Sequence, residues 1–232
     1  LNHVHPDGAA TRITWGVLNL THRNSHATPE KLIPGQSYEV QVALDHIAYR
    51  LPAGHRLRVA VSSAYWPMLW PMPEQATLTL TGGALDLPVR TPAATGDEVT
   101  FLPPEAAKPL ATREIRAQSH VRRTETDQRT GTVSLIIEDD FGEYENMDHG
   151  GIAGSVARER WDIHPADPLS ACGSAHWTEI VERDGRRLRT EATCSMWSDV
   201  ENFHLAARIE AWDDEEMIHE RDHRETIPRD HL

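Results

Sequence analysis

Residues 54–71 have the sequence GHRLRVAVSSAYWPMLWP, and its first half alternates polar and apolar side chains. The apolar side chains of Leu57–Val61 fall on one side of an extended chain, because successive side chains of a strand point to opposite faces. The second half places Tyr65, Trp66 and Trp70 among prolines, which fix φ and cannot donate to a strand ladder. The stretch therefore predicts a strand that runs into a stiff aromatic loop.

Three roles are open for this loop. Tryptophan is usually well buried, so a plug beneath a sheet is one interpretation. Tyr65, Trp66 and Trp70 are equally suited to a domain interface or to the lining of a pocket, and these three residues are our site candidates. A platform for stacking sugars is the third interpretation, which the chain's seven tryptophans make worth stating.

The first part of the chain contains further period-two segments separated by turn residues. A hairpin is predicted over residues 1–18 with Pro6-Asp7-Gly8 as its turn, since proline presets φ and glycine accepts positive φ. Further strands are predicted at residues 38–44, 77–81 and 85–89. Several short strands at this spacing are typical of a β-sandwich or barrel.

Prolines and alanines over residues 91–110 indicate a linker, and we place a domain boundary at residue 104. The β pattern continues over residues 105–232. Asp184-Gly185, between two alternating segments, is a strong hairpin signal. Residues 215–227 are predicted as a final strand.

One segment of this second region has two interpretations. Ser198–Glu201 resembles the capping box that opens a helix. The residues after it, Phe203–Ala211, alternate strictly between apolar and other side chains, which favours a strand.

A family resemblance covers residues 1 to about 90 most strongly. The segments that carry it are Trp15–Arg23, Ser25-His26, Leu32–Gly35, Ile47–Arg58 and Tyr65–Pro67. They resemble the C-terminal non-catalytic domain of CocE/NonD-type hydrolases, which are acyl esterases and X-Pro dipeptidyl-peptidases. Three later segments resemble the extension found in some members: Asp139–Gly142, Asp167–Ser170 and Glu225–Arg229.

The resemblance implies an all-β fold with two parts. Residues 1–104 would form a jelly-roll (galactose-binding-like) β-sandwich, here without its first strands, and residues 105–232 an antiparallel β-sheet extension. The implied role is accessory: packing on an α/β-hydrolase catalytic domain that is not in this chain, and helping to shape its substrate pocket or its assembly. Homo-oligomerisation is left open as a further mode of assembly. The alternative function is an independent carbohydrate-binding module.

Composition excludes two classes of partner. The net charge of −13 argues against nucleic acid and against an anionic membrane surface, since both need a basic footprint. No apolar run has the length of a membrane span.

The first residues are neither basic nor apolar enough for a signal peptide, and without an initiator methionine we expect a fragment or a processed piece. The two cysteines, Cys172 and Cys194, are predicted to be unpaired, as in a cytoplasmic protein.

No catalytic residue is predicted. The nucleophile elbow of an α/β-hydrolase needs glycine two residues before and two residues after its serine. Ser37 follows Gly35 but precedes Glu39, and Ser155 has Gly154 directly beside it. The resemblance likewise implies that the catalytic serine, aspartate and histidine belong to the absent domain, so this chain alone should be inactive.

No metal or cofactor is predicted either. Histidine pairs with suitable spacing are expected by chance among fourteen histidines, and none comes with the cysteines or carboxylate that zinc sites use. These pairs are His3 and His5, His22 and His26, and His219 and His223. The acidic clusters Asp139-Asp140 and Asp213–Glu216 offer oxygen ligands for calcium, but such clusters are more often solvated turns.

Overall fold

Two antiparallel sheets provide the regular structure of the computed structural model, which describes residues 1–90 and 101–231. The described residues contain no α-helix, and a single 3₁₀ turn covers Leu20–His22. The all-β fold class predicted from the sequence is confirmed. None of the described residues form a helix with the length and hydrophobicity to cross a membrane.

The smaller sheet contains three strands in the order β2-β1-β3. They are β1 (Asn2–Val4), β2 (Ala10–Arg12) and β3 (Arg56–Arg58). The predicted hairpin turn joins β1 to β2: Gly8 has a φ of +91°, and the Asp7 carboxylate accepts a hydrogen bond of 3.0 Å from the amide of Ala9. Of the jelly-roll sandwich expected for residues 1–104, the described residues contain this one sheet.

The strands predicted at residues 38–44, 77–81 and 85–89 are wrong, because the chain there forms no ladder. Directly after the first of these segments, Asp45 N donates a 2.9 Å hydrogen bond to Trp15 O. Alternation specifies an apolar face, but a strand also needs a neighbouring edge with which to exchange hydrogen bonds. Without that neighbour the apolar side chains stay accessible, and Val42 is 44% exposed.

The larger sheet has eight strands in an antiparallel arrangement. The strands are β4 (Thr112–Arg116), β5 (Ser119–Thr126), β6 (Val133–Asn146), β7 (Ile152–His164), β8 (Asp167–Arg183), β9 (Arg186–Ser198), β10 (Asn202–Asp213) and β11 (Glu216–Pro228). From β6 to β11 each strand pairs with the next along the chain, so this part is a continuous meander. The predicted last strand is therefore confirmed as β11.

One edge of the larger sheet is shared by two strands. β6 pairs with β5 through Val133–Asp140 and with β4 through Glu143–Asn146. A bulge separates the two halves at Gly142, whose φ is +82° and where a Cβ atom would lie 2.8 Å from Arg116 O. Glycine is required there by both conditions, since the left-handed conformation and the close approach each exclude a side chain.

The hairpin turns follow the sequence signals. Asp184 and Gly185 both have positive φ, 55° and 76°, as a two-residue type I′ turn between β8 and β9 requires. β9 ends at Ser198 and β10 begins at Asn202, so the alternative helix after Ser198–Glu201 does not form and the predicted strand is confirmed. The register places Ala175, not Cys172, opposite Cys194, and both cysteines are unpaired.

The predicted division at residue 104 stays a prediction. The proposed linker, residues 91–110, falls in part on residues 91–100, which lie outside the described residues. The segments on either side of that gap nevertheless touch, and the contact is made by the aromatic loop.

Candidate functional site

The aromatic loop, Tyr65–Pro71, folds back on itself: Leu69 N donates a 2.9 Å hydrogen bond to Tyr65 O. The Trp66–Pro67 peptide bond is cis. Trp66 and Trp70 are half-buried and meet edge to face, with ring centroids 5.2 Å apart and an interplanar angle of 79°. Aromatic pairs favour this arrangement because the positive edge of one ring meets the negative face of the other.

The two tryptophans pack against the larger sheet. The Trp66 ring lies 5.9 Å from Trp161 on β7, and the Trp70 ring lies 6.2 Å from Phe203 on β10, both in edge-to-face geometry. Trp70 Nε1 also donates a 3.0 Å hydrogen bond to the hydroxyl of Ser198 at the end of β9. These contacts join residues that are more than ninety positions apart in the chain.

A small residue on the larger sheet makes room for the contact between Trp66 and Trp161. Trp161 lies opposite Gly173 on β8, and a Cβ atom at Gly173 would come 2.6 Å from the Trp161 ring. Glycine therefore lets the Trp161 ring lie across the neighbouring strand, where Trp66 reaches it. Trp66 Nε1 is buried and has no hydrogen-bond acceptor among the described residues.

Arg229, just after β11, contacts both the aromatic loop and the larger sheet, and it is 3% exposed. Its guanidinium donates to Pro71 O over 2.7 Å, to the Ser198 hydroxyl over 3.0 Å and to Asp199 O over 3.1 Å. It also lies 4.6 Å from the centre of the Phe203 ring, in a cation–π contact. Burial lowers the pKa of Arg229, and the nearby Asp199 carboxylate opposes that shift.

Tyr65 points to a different part of the molecule. Arg12 of β2 donates a 2.5 Å hydrogen bond to the Tyr65 hydroxyl, and the Tyr65 ring lies 5.6 Å from Trp15. Tyr65 is 41% exposed. The three candidates from sequence are thus divided: Trp66 and Trp70 contact the larger sheet, and Tyr65 contacts the smaller one.

Arg229 and Ser198 were not among the sequence candidates. In the sequence, Glu225–Arg229 only resembles part of the family's extension, and this resemblance says nothing about what its arginine contacts. A single arginine directly after Ile227-Pro228, at the end of an alternating strand, is a weak signal. Its partner at Pro71 is 158 residues away, so sequence spacing could not have identified the pair.

A histidine cluster lies on the smaller sheet. His3 lies on β1 and His5 directly follows it, with their rings stacked as the spacing predicts, and the structure adds His55, which directly precedes β3. His3 is buried, and its Nδ1 lies 2.6 Å from the hydroxyl of Tyr49. Burial, together with His5 and His55, lowers the pKa of His3, which favours the neutral form of this imidazole. Sequence spacing found the pair but not the third member.

The other two histidine pairs are less enclosed. His22 and His26 bring their Nδ1 atoms to 3.2 Å, on one turn of a loop. His219 and His223 lie on β11, where every residue is exposed.

Carboxylates of the acidic clusters contact basic side chains or backbone amides. Asp139 lies 3.0 Å from His120 Nδ1, and Asp140 pairs with Arg116. Asp213 pairs with Arg186, and Asp214 accepts a 3.0 Å hydrogen bond from the amide of Arg187. These contacts occupy oxygen atoms that a calcium ion would need.

The serines considered as nucleophiles do not lie in an elbow. Ser155 is within β7 and donates a 2.8 Å hydrogen bond to Glu179 across the ladder. Ser37 is exposed in a segment without regular structure. An elbow joins a strand to a helix, and the described residues contain no α-helix.

Comparison with known proteins identifies the family. Residues 1–136 match the X-Pro dipeptidyl-peptidase C-terminal non-catalytic domain. The match includes the smaller sheet, the histidine cluster, the aromatic loop, β4, β5 and the start of β6. No curated protein and no solved structure matches the chain. Since the match covers more than half of the 232 residues, the chain belongs to the family of X-Pro dipeptidyl-peptidase C-terminal non-catalytic domains.

Proposed function

We propose that this chain is the accessory C-terminal part of a serine hydrolase of the acyl esterase or X-Pro dipeptidyl-peptidase type. It packs on the α/β-hydrolase catalytic domain of the parent protein and helps to shape the substrate pocket or the assembly. The observation that carries the proposal is the match of residues 1–136 to a domain that is C-terminal and non-catalytic, which implies a catalytic partner.

The accessible apolar side chains of the first ninety residues support a docking role. Ile47 is 53% exposed, Val59 57% and Val61 60%. Exposed apolar side chains in such numbers usually mark an interaction surface. Trp66 and Trp70 pack on the larger sheet of the same chain, so the surface offered to a catalytic domain is expected to include Val59 and Val61 of the segment before the loop.

The test is association in trans. The chain would be mixed with the α/β-hydrolase domain encoded with it, and the complex measured by sedimentation velocity. Val61→Asp should weaken the complex by about tenfold or more, since a charge would be desolvated at an apolar contact. Val200→Asp is the matched control: Val200 is 55% exposed but lies in the β9–β10 turn, outside the proposed surface.

Activity provides the second measurement. The chain alone should hydrolyse neither acyl esters nor Xaa-Pro amides, while adding it should change the KM or kcat of the catalytic domain. If no complex sediments and the kinetics of the catalytic domain are unchanged, the accessory role is wrong. Turnover by the chain alone that a serine-directed inhibitor blocks would also contradict it.

Carbohydrate binding stays the alternative prediction. Trp66 and Trp70 are packed edge to face and on the larger sheet, rather than side by side toward solvent, and no contact in the described residues favours a sugar ligand. Retention of the chain on a polysaccharide column, lost in Trp66→Ala, would support it.

A further inference from the structure

The histidine cluster brings three imidazoles together at two paired strands of the smaller sheet, with His3 on β1, His5 directly after β1 and His55 directly before β3. His3 lies on β1 opposite Leu57 of β3, and Val4 lies opposite Arg56, so the next residues along the two strands are His5 and His55. The His3 and His5 rings stack 4.1 Å apart, and the His55 ring lies 4.7 Å from His3 and 5.1 Å from His5. One ring nitrogen of each lies within 4.8 Å of the other two.

The hydrogen bonding of His3 favours a ligand at the centre of this cluster. Its Nε2 lies 2.5 Å from His55 Nδ1, and its Nδ1 lies 2.6 Å from the Tyr49 hydroxyl. When Nδ1 donates its proton to Tyr49, Nε2 carries a lone pair that faces His55. A metal-bound histidine commonly has this arrangement, with one nitrogen on the metal and the other donating to an outer partner that holds the ring.

We propose that His3, His5 and His55 form a binding site for a divalent transition-metal ion of the zinc type. Three imidazoles with one position left for water or another ligand is an established donor set for zinc. Zinc–nitrogen bonds of about 2.0–2.1 Å place tetrahedral donor atoms about 3.3 Å apart, so rotations of the side chains would suffice to form the site. Tyr49 acts as a positioning residue through His3.

The surroundings are consistent with a bound cation. His3 is buried, whereas His5 and His55 are half-buried, so the site is shielded on one side and open on the other. Each ligand is held by backbone structure: His3 is within β1, and His5 and His55 lie at the ends of paired strands next to turns. A site built on paired strands keeps its donor atoms close together in the absence of metal.

Binding to the full chain tests the site. After removal of metal with a chelator, zinc would be titrated by calorimetry, and cobalt would be titrated while visible absorption is recorded. We expect one saturable site per chain and the strong visible bands of four-coordinate cobalt. Tyr49→Phe removes only an outer partner, so it should weaken zinc affinity by about 10–100-fold. His5→Ala and His55→Ala each remove a metal ligand, so each should weaken zinc affinity by more than Tyr49→Phe does.

The matched control is the double variant His22→Ala/His26→Ala. It removes the other close histidine pair and should leave the affinity and the cobalt spectrum unchanged. Thermal unfolding gives a measurement that does not depend on stoichiometry: zinc should raise the Tm of the wild-type chain and of the control, because a ligand that binds only the folded state stabilises it. It should not raise the Tm of His55→Ala.

Three results would overturn the proposal. The first is the absence of saturable zinc binding to the folded wild-type chain at micromolar concentration, in which case His3 and His55 share only a hydrogen bond. The second is binding that His55→Ala leaves intact. The third is a site removed by the His22 and His26 substitutions. Circular dichroism would verify that each variant is folded, and His5→Ala, at a half-buried position, serves if His55→Ala does not fold.

Discussion

Arg229 shows how a single side chain can join three parts of the molecule. Its guanidinium contacts the carbonyl of Pro71, the hydroxyl of Ser198 and the ring of Phe203, and the whole residue is 3% exposed. Burying a cation is costly unless hydrogen bonds compensate for lost hydration, and arginine offers several donors in a fixed plane.

Replacing Arg229 with methionine should therefore destabilise the chain. The stem volume is roughly kept, but the Pro71 and Asp199 carbonyls and the hydroxyl of the buried Ser198 lose a charged donor. We expect a loss of about 2–4 kcal/mol in the free energy of unfolding, measured with urea. Arg224→Met is the control: Arg224 is exposed on β11, and its replacement should change stability by less than about 0.5 kcal/mol. Equal effects of the two substitutions would show that the Arg229 contacts contribute nothing.

At the scale of the element, the β9–β10 hairpin is organised by Asp199. One oxygen of its carboxylate accepts 2.7 Å hydrogen bonds from the amides of Glu201 and Asn202, and the other lies 2.8 Å from His204 Nε2. The hydrogen bond with His204 and those from the two amides lower the pKa of Asp199 to about 2 from the usual 3.8. The capping box Ser198–Glu201 that suggests a helix in the sequence lies in a turn instead, which the Asp199 carboxylate stabilises.

The pH dependence of this hairpin follows from the lowered pKa. Between pH 4 and 2 the unfolded chain binds a proton at Asp199 that the folded chain does not, so stability from this group is complete above about pH 4 and is lost as the pH falls to about 2. Asp199→Asn keeps the amide contacts and removes the titration. It should flatten the dependence of unfolding free energy on pH in that window, and His204→Ala should flatten it in part.

One result would contradict this prediction. If Asp199→Asn and the wild-type chain lose stability in parallel between pH 4 and 2, then the carboxylate is not held in its charged form by the hairpin. Measurements above pH 5 give the baseline for both proteins, because Asp199 is ionised there in the folded and the unfolded chain alike.

At the scale of the whole molecule, the aromatic loop holds the first ninety residues against the larger sheet. Trp66 meets Trp161, and Trp70 meets Phe203 and Ser198. A further hydrogen bond of 2.9 Å runs from the Thr21 hydroxyl to the carbonyl of His231. The loop thus serves as an interface within the chain, between regions that the sequence assigns to separate domains.

Truncating Trp66 should loosen that interface. Complete burial makes a Trp→Ala change cost about 3–5 kcal/mol, and since Trp66 is half-buried we expect about 2–3 kcal/mol from urea unfolding. Trp66→Phe is the matched control: it keeps an aromatic ring and removes the buried Nε1 that has no acceptor among the described residues, so its cost should be smaller. Unchanged stability of Trp66→Ala would show that the loop does not hold the two regions together.

What the sequence determined by itself is local. Asp184-Gly185 can adopt positive φ at two successive residues, so it predicts a hairpin wherever alternating segments flank it, and β8 and β9 form that hairpin. Alternation also indicates correctly that Phe203–Ala211 is a strand, because its partners β9 and β11 are adjacent in sequence.

The tertiary structure alone decided which distant segments meet. Residues 38–44 have the alternation of a strand, but no neighbouring edge pairs with them, so they stay outside both sheets. His55 joins His3 across 52 positions, and Arg229 reaches Pro71 across 158. A pattern of side chains specifies faces and turns, which are properties of a few consecutive residues. Partners at long range depend on packing and loop closure over the whole chain, which no local pattern contains.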